Sequence, residues 1–174
     1  DISQDEKYLA TDEYALTKAR QEDLLFSSEY KNWTIIRPYI TYDIERLQLG
    51  VLEKEDWLYR AVHGRTIVTA KDIQTKQTTL TAGADVATAM AALMGNKKAQ
   101  GEAFHITTDE SLTWSEVTAI YKNALKENNI TAKVLEQNLN DFLDWRQGMY
   151  QVTYDRLYNR TFDNSKIKQF VDTA

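Results

Sequence analysis

The alternation of apolar and polar residues predicts short strands that alternate with helices along the whole chain. A helix is expected from about Tyr14 to Tyr30, where apolar residues follow Asp12 and Glu13, two acids suited to a first turn. Residues 1–11 show no periodicity and are expected to form a loop. Apolar and β-branched runs predict strands at 33–36, 65–69, 103–107 and 132–135, with a polar edge strand at 74–81.

Turn and cap residues mark where these elements begin and end. Pro38, the single proline, is expected to end the first strand. Helices are predicted at 54–63, closed by Gly64, and at 85–94, closed by Gly95. Thr113 and Glu116 form a capping-box pattern at the start of a helix reaching about residue 128, and shorter helices are predicted at 138–145 and after residue 165. Such regular alternation indicates an α/β fold.

Composition narrows the possible classes of protein. A chain of 174 residues with 43% hydrophobic and 11% aromatic residues suits one folded domain and excludes a disordered or low-complexity chain. The absence of cysteine excludes a disulfide scaffold and any cysteine-based metal or thiol site. The two histidines, His63 and His105, stand far apart, so no metal centre is predicted.

Charge and hydropathy also bear on the partners. The formal net charge is −5 and no stripe of Lys and Arg stands out, which argues against a nucleic-acid partner. No apolar run approaches the length of a membrane span, and no signal peptide is apparent. A cytoplasmic protein without a membrane segment is therefore expected.

One pair of residues could do chemistry. Tyr14 and Lys18 stand four residues apart on the first predicted helix, so their side chains share a face. A nearby ammonium favours the phenolate, and such a tyrosine can exchange a proton with a sugar oxygen while a cofactor takes the hydride. From the spacing alone, a solvated helix face is the stronger interpretation.

The residues around this pair resemble those of extended short-chain dehydrogenases/reductases, and among them the NAD-dependent epimerases/dehydratases that act on nucleotide sugars. That family has a YxxxK helix, here Tyr14 to Lys18, followed by a buried strand that ends in Arg-Pro, here Arg37-Pro38. Further matches follow in the family's order over nearly the whole chain. They are Gly64 to Val68, Asp85 to Ala87, Gly101 to Thr107, Leu112 to Glu116 and Phe162 to Lys168.

The resemblance implies an architecture. The chain would be the C-terminal portion of an extended short-chain dehydrogenase, with the catalytic helix, the last Rossmann strand and a small α/β substrate-binding domain. Residues 1–45 would be a remnant of the dinucleotide-binding domain, and residues 46–174 would be mainly the substrate-binding domain. Asp85 is expected to be a helix N-cap, and Lys166 a surface or capping residue.

The resemblance also implies roles for individual residues. Tyr14 would be the catalytic acid/base, and Lys18 would bind the nicotinamide ribose and favour the phenolate form of Tyr14. Pro38, Tyr39 and Ile40 would lie along the nicotinamide of NAD or NADP. The nucleotide-sugar substrate would be bound by residues after the Arg-Pro strand and in the following domain, which are Thr41, Tyr42, Arg65 and Lys76.

The sequence departs from the family pattern in what it lacks. A dinucleotide-binding half needs a Gly-rich turn beside the pyrophosphate, and the six glycines here form no G-x-G-x-x-G. The chain is therefore expected to belong to a longer protein and not to hold NAD well alone. The alternative is a non-catalytic module that binds a sugar nucleotide or a partner on the same fold. Because relatives commonly dimerise through the YxxxK helix, a homodimer is a further expectation.

Structural roles are expected for the remaining aromatic candidates. Trp33 and Trp57 are predicted to lie in the core, whereas Trp114 and Trp145 are predicted to be rim contacts near helix ends. His105, inside a predicted strand, is expected to be a core histidine with satisfied hydrogen bonds.

Overall fold

A computed structural model of the chain describes residues 2–146 and 149–171. The described ranges contain eight α-helices, three 3₁₀ turns and one π-helical turn. The α-helices are α1 (Glu6–Leu9), α2 (Tyr14–Ser27), α3 (Lys54–Val62), α4 (Lys71–Gln74), α5 (Gly83–Leu93), α6 (Trp114–Glu127), α7 (Leu139–Trp145) and α8 (Met149–Gln151). The 3₁₀ turns are Ile2–Gln4, Lys97–Ala99 and Ile167–Gln169, and the π-helical turn is Val152–Arg156.

The strands form pairs. Their bounds are β1 (Thr34–Pro38), β2 (Thr41–Tyr42), β3 (Thr66–Ala70), β4 (Gln77–Thr78), β5 (Thr81–Ala82), β6 (Glu102–Ile106), β7 (Leu112–Thr113) and β8 (Lys133–Gln137). The parallel pairs are β1 with β6, β2 with β5, and β3 with β8, while β4 and β7 are antiparallel. Parallel pairs whose strands are separated by helices are the pattern of an α/β fold.

Two apolar clusters cover the two longer parallel pairs. The larger cluster packs α3, α6 and α7 around β3, and Trp57 and Trp114 are its largest side chains. The smaller cluster packs Val86, Ala89 and Leu93 of α5 against Phe104 of β6 and the partly buried Ile36 of β1. Both sheets therefore carry apolar helices, as parallel strands require.

Local sequence explains several element boundaries. Thr113 and Glu116 form the predicted capping box, with the Thr113 Oγ1 accepting from the Glu116 amide at 3.2 Å. Gly64 and Gly95 have positive φ directly after α3 and α5, where a left-handed residue ends a helix at least cost. The predicted helices at 54–63, 85–94, 114–128 and 138–145 are confirmed to within two residues.

The amino-terminal prediction was wrong. Residues 6–9 form a helix because Asp5 caps it, accepting from the Tyr8 amide at 2.9 Å. The Tyr8 ring is 2% exposed and contacts the rings of Tyr150 and Tyr154, each at a centroid distance of 4.7 Å. A contact with the far end of the chain thus orders a segment without periodicity of its own.

The first helix is shorter than predicted, whereas the first strand ends at Pro38 as predicted. Helix α2 ends at Ser27 rather than near Tyr30, because the Ser28 hydroxyl accepts from the Tyr30 amide and stabilises an extended turn. Pro38 lies inside β1, opposite Ile106, as the last and exposed residue of the strand. Proline is tolerated there because a strand end does not need its missing N–H.

Three predicted structural roles need correction. Asp85 is not the N-cap of α5, because the helix already begins at Gly83 and is capped by Ala82; Asp85 is its third residue. Trp114 is not at a rim but 1% exposed, since the capping box places it at the inward-facing start of α6. His105 is partly buried, and its Nδ1 has no hydrogen-bond partner among the described residues.

Helix α2 is the exposed element of the fold. None of its residues is buried, and Tyr14 and Leu24 are 74% and 72% exposed. Apolar side chains of α2, among them Leu24 and Phe26, are therefore exposed.

No helix of the described part of the chain is both long enough and apolar enough to span a bilayer.

We expect stability to fall above pH 10 through Tyr121. Its ring stacks on Trp57 at 4.5 Å, its hydroxyl donates to the Gln48 carbonyl, and burial raises its pKa from 10.0 to about 12. Because the folded pKa is the higher one, the contribution is complete below pH 10 and is lost as the pH rises to about 12. Urea unfolding at several alkaline pH values should show a shallower decline for Tyr121→Phe. The exposed control, Tyr30→Phe, should follow the wild type.

Candidate functional site

The carboxyl end of β1 is conformationally strained. Ile40, two residues after the strand, has a φ of 34°, which a β-branched residue rarely adopts. It is held there because its carbonyl accepts from the Thr81 amide at 3.0 Å and its side chain is buried. Such strain persists only where the surroundings enforce it, and it concentrates at functional sites. Ligands of open α/β sheets bind at this end of the strands.

Tyr39 joins this strand end to the carboxyl-terminal segment. Its hydroxyl donates to the Asp155 carboxylate at 3.0 Å, and an Arg156 nitrogen donates to the same hydroxyl at 3.3 Å. Burial raises the pKa of Tyr39, which the guanidinium groups of Arg156 and Arg160 partly offset. The phenol is thus a partly buried, neutral group within a polar network.

Arg156 also holds the next turn of the chain. It is 4% exposed and donates to the Gly50 carbonyl at 2.9 Å and to the Gln48 side chain at 3.3 Å. Arg146 donates to the neighbouring Val51 carbonyl at 2.9 Å. Two arginines of the carboxyl-terminal part therefore fix the turn at residues 48–52, where Gly50 has a φ of 61°.

The predicted catalytic pair lies on a helix antiparallel to β1. Phe26 of α2 meets Trp33 edge-on at 5.4 Å, and Glu22 accepts from the Nε of Arg37 at 3.0 Å. From the contact of Phe26 with Trp33 to the contact of Glu22 with Arg37, the residue number falls along α2 and rises along β1. The helix therefore runs antiparallel to the strand. Tyr14 and Lys18 lie about two turns and one turn beyond Glu22, at the same end as residues 38–40.

The amino-terminal helix supports the start of α2 at that end. The Tyr8 hydroxyl donates to Glu13, the N-cap of α2, at 3.1 Å. Tyr154, which contacts Tyr8, donates to Asp5 at 2.5 Å, and this bond raises the pKa of Tyr154 to about 12. Because Asp155 follows Tyr154 and binds Tyr39, one chain of contacts links the start of α2 to the end of β1.

A large cleft lies beside the β3–β8 pair. Its volume is about 550 Å³, and it opens between α3, β3, the end of β8 and α7. The Trp145 indole is 51% exposed and donates to Gln137 at 3.1 Å. Arg60 and Arg146 also line it, and the Arg146 guanidinium lies 3.7 Å from the Asp56 carboxylate. An exposed indole beside two guanidinium groups suits a ligand with a flat ring and an anion.

The structure separates the residues predicted to bind the nucleotide sugar. Tyr42 lines a smaller cleft of about 300 Å³, together with Asp85 and Glu110. Arg65 is exposed, and its guanidinium lies over the Tyr59 ring at 5.5 Å. The other two also lie apart from the large cleft. Thr41 of β2 pairs with Thr81 of β5. The Lys76 carbonyl accepts from the Trp114 amide at 3.1 Å.

Sequence reasoning missed the residues that build these sites. Arg60, Arg146, Asp155 and Arg156 were not singled out. Charged residues within apolar runs could have suggested Arg156, since burial of arginine requires partners. Asp155 next to Arg156, with Arg160 four residues later, is such a pattern of charged residues.

The described residues do not form a site for the pyrophosphate of NAD. Among the glycines of the described ranges, Gly83 alone begins a helix after a strand, at the start of α5. The first turn of that helix carries Asp85, whose carboxylate repels phosphate. This part of the chain therefore offers no cradle for a dinucleotide.

Comparisons with solved structures identify the fold. No protein-family model and no curated protein sequence matches the chain. The dTDP-glucose 4,6-dehydratase DesIV of Streptomyces venezuelae, solved with NAD and TYD bound, aligns with a TM-score of 0.65 at 16% identity over 92% of this chain and 46% of that one. The UDP-glucose 4-epimerase of Thermotoga maritima, solved with UDP-glucose, aligns at 0.59 and 17% identity over 89% and 45%.

A third solved structure has a similar fold. A short-chain dehydrogenase/reductase superfamily protein from Agrobacterium tumefaciens, solved with bound NAD, aligns with a TM-score of 0.52 at 12% identity over 90% of this chain and 49% of that one. This chain therefore has part of the short-chain dehydrogenase/reductase fold, which confirms the predicted fold class. It spans less than half the length of each of these structures.

Proposed function

We propose that this chain is the substrate-binding part, with the catalytic helix, of an NAD-dependent epimerase or dehydratase that acts on a nucleotide sugar. The large cleft with its indole and two guanidinium groups carries this proposal, on a fold that nucleotide-sugar enzymes share. NAD or NADP would be held by a Gly-rich half that the described residues do not supply.

The cleft suits a nucleoside diphosphate in its chemistry and its size. The Trp145 ring offers a face on which a base can stack, and Arg60 and Arg146 offer planar N–H groups for phosphate oxygens. A volume of about 550 Å³ lies within the range of small-molecule sites. The charged residues that line the cleft are two arginines and Asp56, so their net charge is +1.

The position of Tyr14 suits proton exchange with the sugar. The side chain is 74% exposed at the start of α2, and the Lys18 ammonium lies 5.6 Å from its ring. Because α2 runs antiparallel to β1, the start of α2, which carries Tyr14, lies toward the strand end where ligands of α/β sheets bind. In this proposal Tyr14 gives a proton to, or takes one from, a sugar hydroxyl, and Lys18 stabilises the phenolate.

Arg60→Gln should weaken binding of UDP-glucose to this chain about ten- to hundredfold, because a charge-assisted contact to phosphate is lost. Isothermal titration calorimetry of the wild type and the variant measures both affinities. A thermal melt of each protein checks the fold, since the Arg60 Nε also donates to the Thr66 carbonyl at 2.7 Å.

Arg65→Gln is the matched control for this experiment. It removes a guanidinium five residues along, outside the large cleft, and should leave the affinity unchanged. If Arg65→Gln weakens binding and Arg60→Gln does not, the nucleotide lies near the position that the family resemblance implied, and the cleft is not its site.

A further inference from the structure

We infer that the ion pair between Glu22 and Arg37 positions the catalytic helix, so that its loss misplaces Tyr14 and Lys18 without removing any group that touches substrate. This inference rests on the proposed function. Tyr14, Lys18 and Glu22 recur at four-residue spacing and so form one stripe along α2. The last member of the stripe is bound to the sheet, and the first two are the reactive pair.

The geometry of the pair supports this role. The Nε of Arg37 lies 3.0 Å from both carboxylate oxygens of Glu22, and Nη2 contacts the second of them as well. The Glu22 side chain is 24% exposed and that of Arg37 is 38% exposed, so the pair is partly shielded from water. The hydrogen bond from Arg37 and the charge of His105, the register partner of Arg37, lower the pKa of Glu22. A fork-shaped contact of this kind fixes distance and rotation together.

The helix has few other contacts that could fix its position. None of its residues is buried, and an exposed helix of 14 residues is marginal in water by itself. Phe26 holds its carboxyl end against Trp33, and Arg20 ties its middle to the carbonyls of Leu9 and Thr11. Tyr8 also binds Glu13, the N-cap of α2. Among these contacts, the pair of Glu22 and Arg37 alone joins the stripe itself to β1, so it fixes how the stripe that carries Tyr14 lies along the strand.

Hydrogen exchange on this chain tests the first half of the inference without any ligand. Glu22→Gln should speed the exchange of α2 amides about ten- to hundredfold. Asp12→Asn, which removes the exposed pair between Arg20 and Asp12, should change it less than about threefold. The double change Glu22→Arg with Arg37→Glu should restore slow exchange. Unchanged exchange of the α3 and α6 amides in each variant shows that the larger cluster is intact.

Kinetics of the whole enzyme test the second half. Glu22→Gln should lower kcat about tenfold and leave KM for the nucleotide sugar unchanged, since neither Glu22 nor Arg37 lines the proposed nucleotide cleft. Exchange in α2 that does not respond to Glu22→Gln overturns the inference, and so does faster exchange with unchanged kcat. If the wild-type enzyme turns over no nucleotide sugar, the proposed function fails, while the exchange result still decides whether the pair positions the helix.

Discussion

Replacing Tyr14 by phenylalanine in the whole protein should lower kcat by about 10² to 10⁴ and leave the affinity for NAD and for the nucleotide sugar unchanged. That range is the usual contribution of a positioned general acid or base. The ring stays, so its contact with Lys18 is kept, and only the hydroxyl that would carry the proton is lost. At 74% exposure, the loss of this hydroxyl has little effect on stability.

Tyr30→Phe provides the matched control for this experiment. Tyr30 is also 74% exposed and follows the other end of α2, so it has the same exposure without the proposed chemistry. Steady-state rates of both variants, with binding measured separately, distinguish a chemical loss from a general one. Full activity of Tyr14→Phe contradicts the assignment of the acid/base. Binding of the nucleotide sugar without turnover by the wild type would favour the non-catalytic module.

Trp57→Ala should lower the free energy of unfolding by about 3–5 kcal/mol, the typical loss for a large aromatic residue in a core. The side chain is 2% exposed, stacks on Tyr121 and donates to the Leu47 carbonyl at 2.9 Å. Truncation would leave a cavity and an unpaired buried carbonyl. Since domains are commonly stable by only about 5–15 kcal/mol, this loss is a large share of the total. Urea unfolding measures it.

Trp145→Ala removes the same side chain at an exposed position. Trp145 is 51% exposed, meets Phe142 edge-on and lines the large cleft. Its truncation should lower the unfolding free energy by less than about 1 kcal/mol. If instead the two variants lose equal stability, the larger cluster is not centred on Trp57.

The chain's periodicity was sufficient to predict most helices and strands, because helical spacing, glycine stops and a capping box act locally. Thr113 with Glu116 and Gly64 after α3 are examples. The order of matched motifs was sufficient for the fold class. What could not be predicted depends on distant contacts. Helix α1 exists because Tyr8 packs against Tyr150 and Tyr154, which lie at the other end of the sequence.

The candidate site also has a part that local sequence predicts and a part that depends on distant contacts. Tyr14 and Lys18 were found because their spacing is local, and their roles stay predictions. The cleft could not be predicted, because Arg60, Gln137 and Trp145 come from three separate elements that only the folded chain brings together. Arg156 escaped attention for a related reason: its hydrogen bonds reach Gln48 and Gly50 across most of the sequence.

The two longer parallel pairs interleave along the chain, and this has a consequence for assembly. Residue 34 pairs with 102 and residue 66 with 133, so the strands follow each other along the chain in the order β1, β3, β6, β8. The first strand of the second pair therefore comes before the second strand of the first pair. Neither sheet can therefore be completed by one contiguous stretch as it leaves the ribosome. Each of the two sheets forms only after a strand distant in the sequence has been synthesised, and such non-local pairing favours slow folding. A shortened chain ending between residues 71 and 101 would keep β1 and β3 but lack β6 and β8, the partner strand of each.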